Sequence, residues 1–207
     1  MNTEEYSDLI IRADRYMHEN LSAHRALHIR GVALESRRLA LRYGCDPRKA
    51  YLAGYLHDCA KGFSREENER FVNKYNIDVC EEEWSLGNAL IHSKVGAYFA
   101  KEYFGVDDRE VFDAIYYHTV GRPRMTILEK IVYTADYIEP ERDQDSMIPL
   151  NVLRPLAYEN IDIAVCEIAC SCYNYLIHES KGYICYETVK TYEYYNKYRE
   201  EITYGKH

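Results

Sequence analysis

No stretch of the 207-residue chain approaches the ~18 uninterrupted apolar residues of a membrane span, so no membrane role is expected. Low-complexity tracts, internal repeats and linker-like segments are also missing. The opening MNTEEYSDLI is acidic and lacks the apolar segment of a signal peptide. The seven cysteines (Cys45, Cys59, Cys80, Cys166, Cys170, Cys172 and Cys185) include no C-x-x-C pair, which leaves a zinc ribbon unsupported. Reduced thiols in a cytoplasmic protein are the expectation. A basic excess is lacking too: the net charge of −8 speaks against a nucleic-acid binder, which neutralises phosphates with clustered Lys and Arg. An acidic protein still takes up a small polyphosphate where metal ions reverse the local field.

What the chain does have is apolar residues, 47% of the total, enough to bury a real core. Their spacing is helical almost throughout. Tyr6, Leu9, Ile10, Ala13, Tyr16 and Met17 recur at intervals of three and four. Ser22 caps a second helix that Gly44 stops. Asp46 and Pro47 open a third, running to about His57–Asp58. Ser64 with Glu67 and Thr126 with Glu129 read as capping boxes, and Asp107 with Glu110 as a looser variant. The spacing predicts helices to about Tyr75, then at about 93–104, 108–118, 127–138, 160–180 and 187–203. NIDVCEEEW reads as a polar connection and PERDQDSMIP as an irregular loop. Alternating strands are missing, so the expectation is one all-α domain. The 22 tyrosines, many near YEYYNKY, read as half-buried helix surface; their faces are compatible with a homodimer.

Chemistry enters with AGYLHDCAKG, where His57 directly precedes Asp58 at the end of an apolar run. Neighbours on a helix point about 100° apart, so the two cannot share a helical face. Either the pair caps a helix in solvent, or both groups converge on one object. His28, His92 and His118 fall on other predicted helices, and Asp136 lies in the apolar segment KIVYTADYIEP. A lone carboxylate there is costly to bury without a partner. Imidazole nitrogen with carboxylate oxygen suits zinc, iron, manganese or nickel. Each residue also has a bland explanation. His57–Asp58 can be a solvated helix end, His92 a residue before a Ser93 cap, and His118 a satisfied core histidine. Arg122 reads as a turn residue, and His18, His24, His178 and His207 as surface or packing residues.

The order His28, His57–Asp58, His92, His118, Asp136 resembles the HD-domain superfamily of metal-dependent phosphohydrolases. HDCAKG, HSKVGAYFAKEYFG, AIYYHTVGRP and KIVYTADYIEPERD are similar to the bacterial HD-type symmetrical bis(5′-nucleosyl)-tetraphosphatases. The likeness is strong over roughly residues 20–145 and weak in the last third, and it implies a single HD-type helical bundle over 1–207. By the same resemblance His28, His57, Asp58 and Asp136 match metal ligands, with iron as the first expectation and Mn, Co, Ni or Zn as other candidates. Arg25, Lys61, His92, His118, Thr119 and Arg142 match positions near the phosphates or a second ion. Asp58, Lys61, His92 and His118 are the residues expected to act in catalysis, and Asp58 and Asp136 to face substrate as well as metal. Lys181 and Gly182 fall where the family's C-terminal segment touches the nucleotide, although GYICYE departs from the usual continuation. Val120 stands where the family often has a second threonine. The implied activity is cleavage of a dinucleoside polyphosphate, such as diadenosine tetraphosphate to two ADP, with a nucleoside diphosphate as bound ligand. An HD nucleotidase or phosphodiesterase acting on another nucleotide, and a nucleotide sensor without turnover, remain the alternatives.

Overall fold

The computed structural model describes residues 3–142, 148–179 and 184–204. Among them, eleven α-helices and no strands are found. They are α1 (Thr3–Asn20), α2 (Ala23–Tyr43), α3 (Pro47–Leu56), α4 (Arg65–Tyr75), α5 (Glu81–Leu86), α6 (Asn88–Phe99), α7 (Arg109–Tyr117), α8 (Ile127–Ile138), α9 (Leu150–Glu159), α10 (Ile161–Glu179) and α11 (Tyr186–Tyr204). A π-helical turn, Ala100–Phe104, continues α6.

Local signals place most of the boundaries. Ser22 accepts from the Arg25 amide, and Gly44 ends α2 in the left-handed region at φ 69°. Asp46 accepts from the amides of Arg48 and Lys49, with Pro47 in the first turn, where its missing N–H leaves no gap. Ser64 and Glu67 form a complete capping box. Each such cap is worth about 1 kcal/mol. Ahead of α7, Asp108 rather than Asp107 is the cap, accepting from the Glu110 and Val111 amides.

Three further expectations are corrected. Within the expected polar connection, residues 81–86 form α5; its three leading glutamates suit a helix N-terminus. The helix expected from 93 begins at Asn88, so His92 lies within α6 and does not precede a cap at Ser93. A helix, α9, was not foreseen between 150 and 159. Pro155 lies inside it and removes one i→i−4 donor, which makes the stretch read as broken.

The core runs from Leu9 and Met17 of α1 through Ile29, Val32 and Leu39 of α2, Ala53 and Leu56 of α3, and Ile131 and Val132 of α8 to Tyr195 of α11. α2, α3 and α8 pack on one another. Gly54 lets α3 approach α2 closely: a Cβ there would sit 3.0 Å from the Ala33 Cα and 2.7 Å from Ser36 Oγ. That close approach holds the C-terminal end of α3 against the middle of the bundle. No helix among the described residues is long and apolar enough to cross a membrane.

Candidate metal centre

At His57 the chain leaves α3 and tightens. Cys59 N donates to Leu56 O, Lys61 N to Asp58 O and Phe63 N to Ala60 O, all three-residue steps. This turn swings two adjacent side chains toward one point, with His57 Nε2 at 3.5 Å from Asp58 Oδ2. Asn88 pins the turn from outside: its amide donates to Ala60 O at 3.2 Å and Lys61 O at 2.7 Å, and its Oδ1 accepts from Asn68 at 3.0 Å.

Four imidazoles surround the carboxylates, and each has its Nδ1 committed. His57 Nδ1 donates to Gly54 O at 2.7 Å, His92 Nδ1 to Asn88 O at 2.8 Å, and His118 Nδ1 to Ile115 O at 2.8 Å. His28 Nδ1 donates to Glu139 Oε1 at 3.1 Å. In the neutral ring this leaves every Nε2 with a free lone pair. Those four lone pairs turn to the same interior. His28 Nε2 lies 3.0 Å from Asp136 Oδ1, and His57 Nε2 3.9 Å from the same oxygen. His92 Nε2 is 3.0 Å and His118 Nε2 3.7 Å from Asp58 Oδ1.

These rings are buried, His57 wholly and the others at 5% exposure or less. The Nε2 atoms of His28 and His57 have no hydrogen-bond partner. Buried polar atoms without partners are costly. Here they face carboxylate oxygens, an electron-rich arrangement that a cation satisfies. His28, His57 and Asp136 offer atoms within 4.8 Å of one another, and so do His57, Asp58 and His118. The donor set is nitrogen and oxygen, and each fixed ring has the outer hydrogen bond typical of metal-bound histidine. The residues fit a divalent ion, as HD domains bind. His57 is common to the two groups.

The electrostatics separate these rings, holding His57 and His92 neutral and His28 protonated between two carboxylates. Burial holds the pKa of His57 down to about 3 and that of His92 below its ordinary value. Burial also opposes protonation of His28, but Asp136 and Glu139 outweigh it and push its pKa up to about 9. Burial would raise both acids; instead His57, His118 and His92 hold Asp58 well below the carboxylate range, and His28, His57 and Arg142 do the same for Asp136.

A cavity of about 220 Å³ opens onto this cluster, lined by Arg25, Asp58, Lys61, His92, His118, Thr119, Asp136 and Arg142. Arg25 Nη1 donates to Asp58 Oδ2 at 2.8 Å, and Arg142 Nη1 stands 3.6 Å from Asp136 Oδ1. Lys61 Nζ lies 3.4 Å from both nitrogens of His92, and burial lowers its pKa. Thr119 Oγ1 is 3.1 Å from His118 Nε2. Three cationic side chains thus rim an anion-sized space floored by imidazole nitrogens and carboxylate oxygens.

The structure therefore brings together His28, His57, Asp58, Lys61, His92, His118, Thr119, Asp136, Arg25 and Arg142. Lys181 and Gly182 lie outside the described residues. Arg122 is turned away from the cavity, its guanidinium gripping buried Glu129 at 2.6 and 2.7 Å. Two residues were missed, Glu139 and Asn88. Glu139 is buried and holds His28, and its other oxygen accepts from the Glu141 amide at 2.7 Å. Gly31 makes room for it, because a Cβ there would overlap Glu139 Oε2. Arg154 of α9 fixes the same corner by donating to the carbonyls of Ile138 and Glu139 at 2.9 and 2.8 Å. The one available signal for Glu139 was its position three residues after Asp136, one turn along the same chain.

Comparison with known proteins places these features. The family model described as HD domain matches residues 25–141. A Bacillus subtilis protein named symmetrical bis(5′-nucleosyl)-tetraphosphatase is 41% identical over 129 residues, covering 60% of this chain and 66% of that one. The match thus spans just under two thirds of that relative's length. A Staphylococcus aureus protein of the same name is 34% identical over 196 residues, covering 93% and 97%. A crystal structure from Clostridium acetobutylicum, described as a predicted HD superfamily hydrolase involved in NAD metabolism, superposes with a TM-score of 0.84. It is 32% identical and covers 91% of this chain and 97% of its own.

Proposed function

The chain belongs to the HD domain family, and we propose that it is a hydrolase that splits a dinucleoside polyphosphate symmetrically, diadenosine tetraphosphate to two ADP. The observation that carries this reading is the coincidence of two features in one cavity. A floor of unpartnered imidazole nitrogens and carboxylates lies beneath a rim of Arg25, Lys61 and Arg142. The relatives named for this activity supply the substrate class.

His28, His57, Asp58 and Asp136 would hold the metal, which we propose to be iron, and Asp58, His92 and His118 would hold a second ion. A bound divalent ion supplies Lewis acidity toward both water and a phosphoryl oxygen. Arg25, Lys61 and Arg142 offset the negative charge of the polyphosphate and hold it against the floor, because a preorganised cation costs no rearrangement during reaction. Arg25 also orients Asp58 through their 2.8 Å contact. Lys61, with its lowered pKa in a buried setting, is suited to hold a proton close to a leaving diphosphate. Thr119 lies where its hydroxyl can donate to a phosphate oxygen. The core that runs from Leu9 to Tyr195 supports treating residues 1–207 as one unit around the motif segment 20–145.

The test is chromatography of products after incubation of diadenosine tetraphosphate with iron- or manganese-loaded protein. ADP alone supports symmetrical cleavage. ATP with AMP, or release from mononucleotides only, would replace it with another HD nucleotidase or phosphodiesterase. Tight binding without any product would point to a sensor.

A further inference from the structure

Outside the centre, two cysteines of α10 stand one turn apart where this helix meets α11. Cys166 Sγ lies 3.9 Å from Cys170 Sγ and 3.2 Å from the Tyr195 carbonyl oxygen. Cys170 Sγ lies 3.8 Å from Asn196 Oδ1. Cys166 is fully buried, whereas Cys170 reaches the surface in part. The spacing decides what the pair can do. Side chains four residues apart on a helix have Cβ atoms about 5–6 Å from each other. A disulfide needs them at about 3.8 Å, so this pair cannot close one while α10 stays helical.

An ion spans the gap that a bond cannot. With metal–sulfur bonds of about 2.3 Å and tetrahedral angles, two thiolates sit about 3.8 Å apart. The observed sulfur separation of 3.9 Å matches that requirement. Asn196 Oδ1 is close enough to supply an oxygen as the third ligand. Thiolate is the form that binds metal. A hydrogen bond from Cys166 lowers the pKa of Cys170, and the Arg199 guanidinium lowers it further. That guanidinium is balanced by Glu167 at 2.9 Å, so no uncompensated positive charge bars a cation. Sulfur donors select soft ions such as zinc, which sets this pair apart from the nitrogen and oxygen donors of the HD centre.

We infer that Cys166, Cys170 and Asn196 form a site for a thiophilic divalent cation of the zinc class, which clamps α11 onto α10. Binding breaks two S–H bonds, forms two metal–sulfur bonds and releases two protons to solvent, with no change of oxidation state. The partly open side of Cys170 is the entry path, and the fourth position is left to water. α11 in turn supports the segment beyond His118. Tyr195 OH accepts from the Met125 amide at 3.2 Å, and Thr191 packs against Gly121, where a Cβ would sit 2.8 Å from its Cγ2.

Anaerobic titration of the manganese-loaded full chain with cadmium tests it, because cadmium on thiolate has an ultraviolet charge-transfer band and cadmium on nitrogen or oxygen has none. The expected result is a band that saturates at one ion per chain. Cys170→Ser should keep half of it or less, and the double variant Cys166→Ala with Cys170→Ser should show none. Cys170→Ser changes a partly exposed position, so it decides the matter even where the double variant fails to fold. With cadmium at about ten times its Kd, alkylation of Cys170 in wild type, read by peptide mass mapping, should slow roughly tenfold and recover with a chelator. Zinc should raise the Tm of wild type by more than that of Cys170→Ser. No band in wild type, a full band in Cys170→Ser or unslowed alkylation overturns the site. A band in the double variant also overturns it, by placing the ion on another thiol. Equal Tm rises in wild type and Cys170→Ser overturn the clamp.

Discussion

The Nε2 atoms of His92 and His118 face each other 3.1 Å apart, while both rings give their Nδ1 protons to backbone carbonyls. Two lone pairs at that distance repel unless a positive centre lies between or beside them. Asp58 Oδ1, 3.0 Å from His92, adds a third electron-rich atom to the same spot. Metal loading should therefore stabilise the fold. With free ion about a thousandfold above its Kd, the gain is roughly 4 kcal/mol, and Tm should rise by roughly 10 °C. His118→Ala should lower the ion content by one per chain. Scanning calorimetry and elemental analysis of anaerobically purified protein measure both; an unchanged stoichiometry would remove His118 from the ligand set.

Asp136→Asn keeps the shape of the side chain and removes its charge between His28 and His57. Turnover should be abolished and bound metal reduced, while far-UV circular dichroism stays nearly as in wild type. Retained activity would count directly against the centre.

Glu139 does not line the cavity at the centre, yet it sets the orientation and basicity of His28. Glu139→Ala should weaken metal affinity by about 10–100-fold, and Glu139→Gln, which preserves an acceptor oxygen, by less. Competition against a chelator of known affinity reads this without any turnover assay. Equal affinities in all three proteins would reduce Glu139 to a packing role.

Lys61→Ala should lower catalysis while metal content stays whole, because its ammonium borders the cavity and contributes no ligand atom. Loss of metal in this variant would reassign Lys61 to supporting His92.

Two residues along α6 from His92, Lys94 Nζ fills a cluster formed by Glu83 Oε2 at 2.8 Å, Glu187 Oε1 at 3.4 Å and the Asp78 carbonyl at 2.8 Å. Glu83 and Lys94 are almost fully buried. Lys94→Ala leaves Glu83 charged and uncompensated, which should cost about 3–5 kcal/mol in urea unfolding. A loss below 1 kcal/mol would show that water reaches the cluster.

The chemistry was legible because it resides in side-chain identity at fixed places. The H-D pair, the histidines on separate helices and an aspartate amid Ile131, Val132 and Ala135 are all visible as letters. Most helix starts were legible for a similar reason, since Ser22, Asp46, Ser64 and Thr126 act on amides two or three residues away. Glu139 and Asn88 were not legible. Their roles depend on hydrogen bonds that close only in three dimensions, with Glu139 meeting a histidine 111 residues away. α5 is short and acidic, and α9 contains a proline, so periodicity and breaker rules both pointed elsewhere.

Gly31 contributes no atom to the centre, yet the bare patch of backbone it leaves on α2 is the surface on which the Glu139 carboxylate rests. Adding a single methyl group there would tilt an imidazole on the opposite side of that carboxylate. The pose of His28 thus depends on a position that an inspection of the cavity lining alone would pass over.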